Sequence, residues 1–541
     1  MRTPDLVALD RSRDAAVDFL LGQQDPRGVF ASPCQSRPLE SALALHLLRR
    51  LGVASDEQSM LGDYCRRHAE RRSSDRKSRP ARLDAAVSSI LCKRAVGASV
   101  TAPELAELAL AQGDFDHPTE GRKRALIHTL LVEFDVPTPP MEPAPRADLR
   151  LGRSHLWTRV ALVAVRILQL CGADRRSEIE DAEIHFLVAH QSESGAWEQH
   201  MLTTLLALLA FTRLGQRTDT LHRGVGFVLR NLRSDGGVPF IPDQDTWNTC
   251  LAGRTLVEVG APRERLYLSA RFLCTQQLPD GGLAFATGVT QSDADDTAVG
   301  LDFLAQLDRR ELHGTIARAE RNLLDLQNDD GGFPTFVRGA ASDAEITAKA
   351  ISALASRGAA HAEPIERAWA WLGRNQLDDG GFRTEWKLSF TYPLLHVLGA
   401  AASRPAGAAS DAVRDRAIAF LLRHRRDDGG WAIHPDDRGS HVLATAYALA
   451  GLALSKGALS PREAFESAAF LVDRQSPDGG IRATADSLGP RPFVYDVPIL
   501  STIYALWGVA RARRAIDSTA RQIPWSSAYA QTGQRSSRRG S

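Results

Sequence analysis

The sequence lacks the features that would direct it into a membrane, out of the cell or onto a nucleic acid. No apolar run reaches the roughly 18 to 20 residues that span a bilayer, and Met1-Arg2-Thr3-Pro4-Asp5 opens nothing like a secretion signal. Six cysteines, Cys34, Cys65, Cys92, Cys171, Cys250 and Cys274, show no CxxC or CxxxxC spacing, so they read as reduced core residues. A net charge of +1 gives no global attraction for nucleic acid. Local basic runs at Arg66 to Arg82 and Arg535 to Arg539 read as solvated faces or tails. The remainder is a soluble, helical, cytoplasmic chain whose 541 residues suffice for two domains with substantial cores. Peripheral contact with a membrane stays open.

What the chain does have is an internal repeat. Gly-Gly turns recur at Asp280-Gly281-Gly282, Asp330-Gly331-Gly332, Asp379-Gly380-Gly381, Asp428-Gly429-Gly430 and Asp478-Gly479-Gly480, a period of 49 to 50 residues. A Gln or Arg precedes each turn at one offset (Gln277, Gln327, Gln376, Arg425, Gln475), and Leu283, Phe333, Phe382, Trp431 or Ile481 follows it. Ala- and Leu-rich stretches between the turns carry helical periodicity, so each unit reads as a helical hairpin closed by a glycine turn. The first half holds poorer units, with turns near Gly28, Gly195 and Gly237, and a Pro-rich connector from Val136 to Pro145.

Set into this repeat is Asp293-Ala294-Asp295-Asp296-Thr297-Ala298, three carboxylates in four positions at a helix start. Crowded carboxylates in a low-dielectric site raise at least one pKa, so one keeps its proton near neutral pH and can serve as a general acid. Fifty residues on, Asp343-Ala344-Glu345-Ile346-Thr347-Ala348 matches it position by position. Helix capping therefore accounts for Asp293 and partly for Asp295. It does not account for Asp296, whose counterpart is Ile346.

The DxDDTA motif, together with repeated Gln-containing, Gly-rich, aromatic-ended turns, resembles the class II terpene cyclases, the family of squalene-hopene cyclases and copalyl diphosphate type synthases. Gln191 to Trp197 and Gln327 to Phe333 are the better-formed turns, and the resemblance runs from about Gln23 to Trp507. It implies an all-α fold of two αα-barrels, β and γ (an α/α toroid didomain), with γ inserted after the first helix of β. Residues 1–20 would be the first helix of β, 21–259 the γ domain and 260–515 the rest of β with the DxDD motif. Residues 516–541, rich in Ser, Gln and Arg, read as a disordered tail.

The activity implied is protonation-initiated cyclisation of a prenyl diphosphate with the diphosphate retained: geranylgeranyl diphosphate to a bicyclic, copalyl-type product. Farnesyl diphosphate to a drimenyl-type product is the first alternative and squalene-type cyclisation the second. By the family's assignment Asp295 is the general acid, held by Asp293 and Asp296. Aromatic faces stabilise a carbocation without offering it a lone pair. The candidates are Trp247, Trp386, Phe390, Tyr392, Trp431, Phe493 and Tyr495, with ordinary core packing as the competing reading. His396, His434, His441 and Tyr495 are candidates for handling the final proton. The family often uses Mg²⁺ with the diphosphate, for which Asp245, Glu180 and Asp181 offer oxygen ligands. No DDxxD is paired with the second metal motif of ionising terpene synthases, so diphosphate loss is not expected. The different-class alternative, a non-catalytic prenyl-binding helical repeat protein, would leave the DxDD motif unexplained. Either a monomer or a homodimer is compatible with the sequence.

Overall fold

The computed structural model describes residues 6–70, 79–115, 117, 119–144, 154–216, 219–403, 407–489 and 491–520. Twenty-one α-helices follow one another among them. The first ten are α1 (Leu6–Gln23), α2 (Pro38–Leu51), α3 (Ser55–Ala69), α4 (Arg79–Ala95), α5 (Ala102–Gly113), α6 (Glu120–Glu133), α7 (Leu156–Gly172), α8 (Asp181–Ala189), α9 (Met201–Arg213) and α10 (Asp219–Arg230). Then come α11 (Asp245–Glu258), α12 (Arg263–Gln276), α13 (Ala294–Ala305), α14 (His313–Leu326), α15 (Ala344–Ala355) and α16 (Ala362–Asn375). The last are α17 (Thr391–Ala402), α18 (Ala408–Arg423), α19 (Val442–Leu452), α20 (Pro461–Val472) and α21 (Ile499–Ala520). Strand is confined to two short antiparallel ribbons, Ser36–Arg37 with Val238–Pro239 and Ser487–Leu488 with Val494–Tyr495.

The helices form two barrels. In the β barrel α11, α13, α15, α17, α19 and α21 pack side by side, and α21 returns to α11, closing an inner ring of six. The inner helices are apolar on nearly every face, as α19 shows with all eleven residues buried, because they meet the barrel interior on one side and the outer helices on the other. Outer helices α12, α14, α16, α18 and α20 alternate with them, and α1 fills the sixth outer place against α20 and α21. The γ barrel is smaller: α2, α4, α6, α7 and α9 close its inner ring, with α3, α5, α8 and α10 outside.

The repeated Gln side chains tie the outer ring together. Gln277 Nε2 donates to the Gly281 carbonyl of its own turn (2.7 Å) and to the Thr315 carbonyl at the start of α14 (2.8 Å). Gln327 does the same to Gly331 and Pro364 of α16, Gln376 to Gly380 and Val413 of α18, and Gln475 to Gly479 and Ser12 of α1. Arg425 reaches Glu463 of α20 in the same manner, and Gln24, after α1, reaches Arg265 of α12. Each donor satisfies a carbonyl of the next outer helix, so the six clamps run once around the barrel. The turns need glycine: Gly281 has φ +89°, and a Cβ there would stand 2.6 Å from the Arg318 carbonyl oxygen.

Two boundaries shift from their sequence positions. Helix α11 packs against α13 and α21 inside the β barrel, so that barrel resumes at Asp245 and not at residue 260; the Asp235-Gly236-Gly237 turn that precedes α11 is folded like the others but has Leu232 where they carry Gln or Arg. At the other end residues 516–520 continue α21 instead of opening the tail, because the helix still packs there through the buried Ile516; residues 521–541 lie outside the described residues. Residues 136–144 of the Pro-rich connector carry no regular structure. Cys34, Cys65, Cys92 and Cys250 are buried, Cys171 and Cys274 partly so, and none is bridged. Among the described residues no helix is long and apolar enough to cross a membrane.

Gln327 is buried with both amide hydrogens engaged. Replacing it by Ala leaves two carbonyls without donors, and Gln327→Ala should lose about 2 kcal/mol in denaturant-induced unfolding.

Candidate active site

Asp293 is the N-cap of α13, its carboxylate accepting from the Asp296 amide at 2.7 Å. Its own N–H donates to Leu283 O (2.9 Å), and Thr297 Oγ1 donates to Asp293 O (2.6 Å) while accepting from Leu283 N (2.9 Å). The internal counterpart repeats this frame: Asp343 N–H donates to Phe333 O, and Thr347 Oγ1 accepts from Phe333 N, both at 2.9 Å. The helix start is therefore a scaffold property, and the third carboxylate is added to it.

All three carboxyls face one cavity. Asp293 and Asp296 are buried and hydrogen-bonded to each other through their side chains. Burial first, then the charge of Asp295, pushes Asp293 up to about 7. Burial, then Asp293 and Asp295, pushes Asp296 well above the usual carboxylate range, and its Oδ1 has no partner. Asp295 is different. Its Oδ1 accepts from Lys349 Nζ at 2.6 Å, and the same ammonium donates to Tyr392 OH at 2.9 Å. Lys349 is 4 % exposed and lies 5.1 Å from the Trp247 ring centroid and 4.9 Å from that of Tyr392. Glu345, raised by burial to about 7, accepts from Trp386 N at 3.0 Å, and burial also raises Asp343 well above the ordinary range.

Four of the seven predicted aromatics, Trp247, Trp386, Tyr392 and Tyr495, line this cavity. Phe493 lines an adjoining one, with Lys123 Nζ 6.0 Å from its ring centroid. The other two belong to packing. Phe390 meets Phe420 and His424 edge to face, and Trp431 is fully buried in its own turn, Nε1 donating to Leu421 O at 2.8 Å. They follow glycine turns as the others do, but Trp431 stands directly after Gly430 and packs inside the turn, and Phe390 turns to the outer helix α18. The remaining Phe and Trp walls are Trp157, Phe240, Phe285 and Phe336, the first two on segments before the regular repeat. Of the proton-handling candidates, Tyr495 reaches the cavity and accepts from Gln244 Nε2 at 3.0 Å. His434 is exposed, His441 bonds Thr484 Oγ1 at 2.7 Å, and His396 lies beyond Lys349.

The adjoining cavity shares Trp157, His200, Thr335, Phe336 and Trp386 with the first, so the two are continuous. Its cations outnumber its anions: Lys123, Arg122 and Arg491 line it against the Glu385 carboxylate, which His117 meets at 3.0 Å, while burial raises the Asp343 carboxyl that also lines it. Burial drops Lys123 to about 8. His155 and His200 stand at its junction with the acid cavity, both buried around Trp157. Each has Nδ1 turned to a backbone N–H at its helix start, Trp157 N (3.2 Å) and Thr203 N (3.4 Å), so each neutral ring carries its proton on Nε2. Neither Nε2 has a partner. Burial keeps both rings neutral, His155 well below its usual value and His200 down to about 3.

The suggested metal ligands do not converge. Asp245 spends its oxygens on Thr246 N, Thr287 N and Thr287 Oγ1 at 2.6 to 2.9 Å. Glu180 caps α8 in a reciprocal box with Glu183, one residue before Asp181. Asp245, Glu180 and Asp181 do not line the acid cavity, although Gln244 and Trp247 beside Asp245 do, and among the described residues no three His, Cys, Asp or Glu side chains are grouped to hold a metal ion. Lys349, Lys123 and Lys387 went unpredicted, although a signal for them existed: the chain has only six lysines among its 66 basic residues, and these three stand in or beside the two cavities.

A carboxylate cluster that retains protons, facing a cavity walled by aromatic faces at the junction of two α/α barrels, defines a cyclase that starts its reaction with acid. Comparisons with known proteins agree. Residues 340–514 match the squalene-hopene cyclase C-terminal domain, and 153–389 the prenyltransferase alpha-alpha toroid domain. A drimenyl diphosphate synthase of Streptantibioticus cattleyicolor is 34% identical over 93% of this chain and 94% of its own length. Another from Streptomyces showdoensis is 33% identical over 95% and 97%. The solved structure of ent-copalyl diphosphate synthase from Streptomyces platensis superposes with a TM-score of 0.62 at 20% identity, covering 95% of this chain and 100% of that one. The chain belongs to the class II terpene cyclase family and is an enzyme of that class.

Because Asp293 binds its proton more tightly folded than unfolded, the native state holds an extra proton between pH about 4 and about 7. Stability from this group is complete below that window and is lost as pH rises through it. Asp293→Asn keeps the cap but removes the titration, so melting temperatures measured from pH 4 to 8 should fall less steeply in the variant than in the wild type.

Proposed function

We propose that this enzyme cyclises a prenyl diphosphate by protonating its terminal alkene and retains the diphosphate in a bicyclic product. The observation that carries this reading is the polarity of one continuous cavity, with carboxyls at one end and Lys123, Arg122 and Arg491 at the other. A molecule with an alkene at one end and a diphosphate at the other matches it. Lys123 and Arg491 supply charge to the phosphate oxygens, and the unpartnered Nε2–H groups of His155 and His200 supply hydrogen-bond donors that no protein acceptor uses.

At the acid end Asp295 delivers the proton, following the family's assignment for that motif position. Asp293 and Asp296 hold their protons, so they donate hydrogen bonds to developing charge instead of adding two more anions beside it. Alkene protonation leaves a tertiary cation. Trp247, Trp157, Phe240, Phe336 and Trp386 offer it ring faces without nucleophilic lone pairs. Water must be excluded while the charge persists, and the apolar walls do this. Mg²⁺ would arrive as the counter-ion of the diphosphate; Asp245, Glu180 and Asp181 make no site for it, and no step here runs through the metal.

For chain length, the motif resemblance puts geranylgeranyl diphosphate first, while the two drimenyl diphosphate synthases, similar along almost the whole chain, favour farnesyl diphosphate. We take the C15 substrate and a drimenyl-type product as the first reading, with the C20 substrate and a copalyl-type product as the second. The location that fits such a substrate is the cytoplasm.

Incubation with farnesyl, geranylgeranyl and squalene substrates in Mg²⁺, followed by phosphatase treatment and mass spectrometry, should give a bicyclic C15 alcohol. No product from any of them sinks the proposal. Asp295→Asn should abolish product while leaving the circular dichroism spectrum and melting curve intact. Lys123→Gln and Arg491→Gln should each raise KM by about 10-fold or more with a smaller change in kcat. Lys123 titrates near 8, so KM of the wild type should rise as pH passes that value.

A further inference from the structure

Behind the acid site, on the side of Lys349 away from the aromatic cavity, the β barrel encloses a second, small chamber. Its walls include Lys349, His396, Ser352, Arg254 and Asp302. It is roomy enough for a single water, and its polar groups share the wall with Leu251, Ala298, Val299 and Trp507. His396 Nε2 and Arg254 Nη1 are buried there without partners. Arg254 and Asp302 pair with each other at the outer wall and keep some exposure, 17 % and 12 % of their side chains, so the chamber approaches solvent at that point. Lys349 stands between the two spaces. Two of its three N–H donors go to Asp295 and Tyr392, which leaves the third for the chamber.

Cyclisation consumes a proton from Asp295 at its first step and releases one from a different carbon at its last. The acid must be recharged between turnovers, and the aromatic cavity cannot admit water for that purpose while it shields a cation. We propose that Lys349 recharges Asp295 from behind, drawing on a water held in this chamber. The proposal rests on the acid role of Asp295 given above and adds the source of its proton.

The step balances. Nζ–H of Lys349 breaks as O–H of Asp295 forms, turning the ion pair into a neutral amine and carboxylic acid. Rotation about Cβ–Cγ, a soft torsion, presents the protonated oxygen to the alkene. The acid's O–H bond breaks as the substrate C–H bond forms. The chamber water then passes a proton to the amine while it takes one from the solvent side past Arg254 and Asp302. The C–H bond of the final cation breaks to an oxygen of the retained diphosphate, which carries that proton to solvent as the product leaves, and no net charge accumulates. Other ionisable groups face this pair: Asp293 and Asp296 from α13, Glu345 from α15, Tyr392 and His396 from α17, Tyr447 from α19, Tyr504 from α21 and Arg254 from α11. Asp293, Asp296, Glu345 and the buried Lys387 do not line the chamber, and His396, which does, is held neutral by burial and has no bond to Asp295, so Lys349 is the group that touches both the chamber and the acid.

The test is rapid-quench kinetics with the prenyl diphosphate that the wild type cyclises. Enzyme is equilibrated at pH 6, mixed with excess substrate at pH 6 to 8, and product per enzyme is followed through the first and later turnovers. Lys349→Met should form about one product per enzyme and then slow by about 10²-fold, the range of a lost proton-transfer group. Lys349→Arg keeps the positive charge but cannot release a proton, so Asp295 stays a paired carboxylate and the variant should be slow from the first turnover onward. His396→Phe, which fills the chamber without touching Asp295, should leave the first turnover intact and slow the later ones, and it decides the matter if the lysine variants do not fold. Wild-type turnover in Lys349→Arg or in His396→Phe overturns the proposal. So does an equal slowing of first and later turnovers in Lys349→Met, which would make the lysine a positioning residue only. Failure of the wild type to cyclise any substrate would strike the functional reading itself and is a separate result.

Discussion

Five carboxyl groups, Asp293, Asp295, Asp296, Asp343 and Glu345, are gathered near two buried ammoniums, Lys349 and Lys387. Burying that many charges together is prohibitive, and the site resolves it by neutralisation. Asp293, Asp296, Asp343 and Glu345 hold protons, and Asp295 alone is matched to Lys349 by a direct bond. The result is a local stock of protons beside a cavity that must expel water. A general acid for an alkene needs both conditions, and here both follow from burial.

The rest of the architecture supports that arrangement. The six inner helices of the β barrel give the carboxyls a wall that does not yield, because the outer ring is clamped helix to helix by Gln24, Gln277, Gln327, Gln376, Arg425 and Gln475. Helix α1 is the sixth outer member, held to α20 by contact and to the following turn by Gln475. The γ barrel supplies the opposite wall: Trp157, His155 and His200 at the starts of α7 and α9, and the cations at the start of α6. Charge of opposite sign is thus kept at the two ends of one cavity, separated by aromatic rings. A cation formed at the acid end meets ring faces before it meets any lone pair.

Much of this was legible in the sequence where the chemistry is local. The 50-residue period, the Gln or Arg before each turn and the paired helix starts at Asp293 and Asp343 are all written in contiguous residues, and the two starts share their backbone and Thr bonds although only Asp293 caps its helix through its side chain. Trp247, Trp386, Tyr392 and Tyr495 were accessible through their place after the turns. The same rule brought in Phe390 and Trp431, which pack elsewhere, because distance along the chain does not fix which side of a loop a ring leaves from. Lys349 was hidden for a different reason. It looks like one charged residue on a helix, and only its burial against a carboxylate 54 positions earlier in the chain gives it meaning.

The sequence by itself determined a repeating α/α architecture, the acid motif and the class of reaction, since periodicity, turn chemistry and a carboxylate triplet act over short stretches of chain. Only the tertiary structure decided which carboxyl is paired with a cation, which rings see the cavity, and where an anionic group would rest. Residues 122, 123 and 491 make the basic end, with the neutral His155 and His200 and the His117–Glu385 pair around them, and no spacing rule joins them. They meet because two barrels close on one another, and the electric field they create exists only once water has been removed from between them.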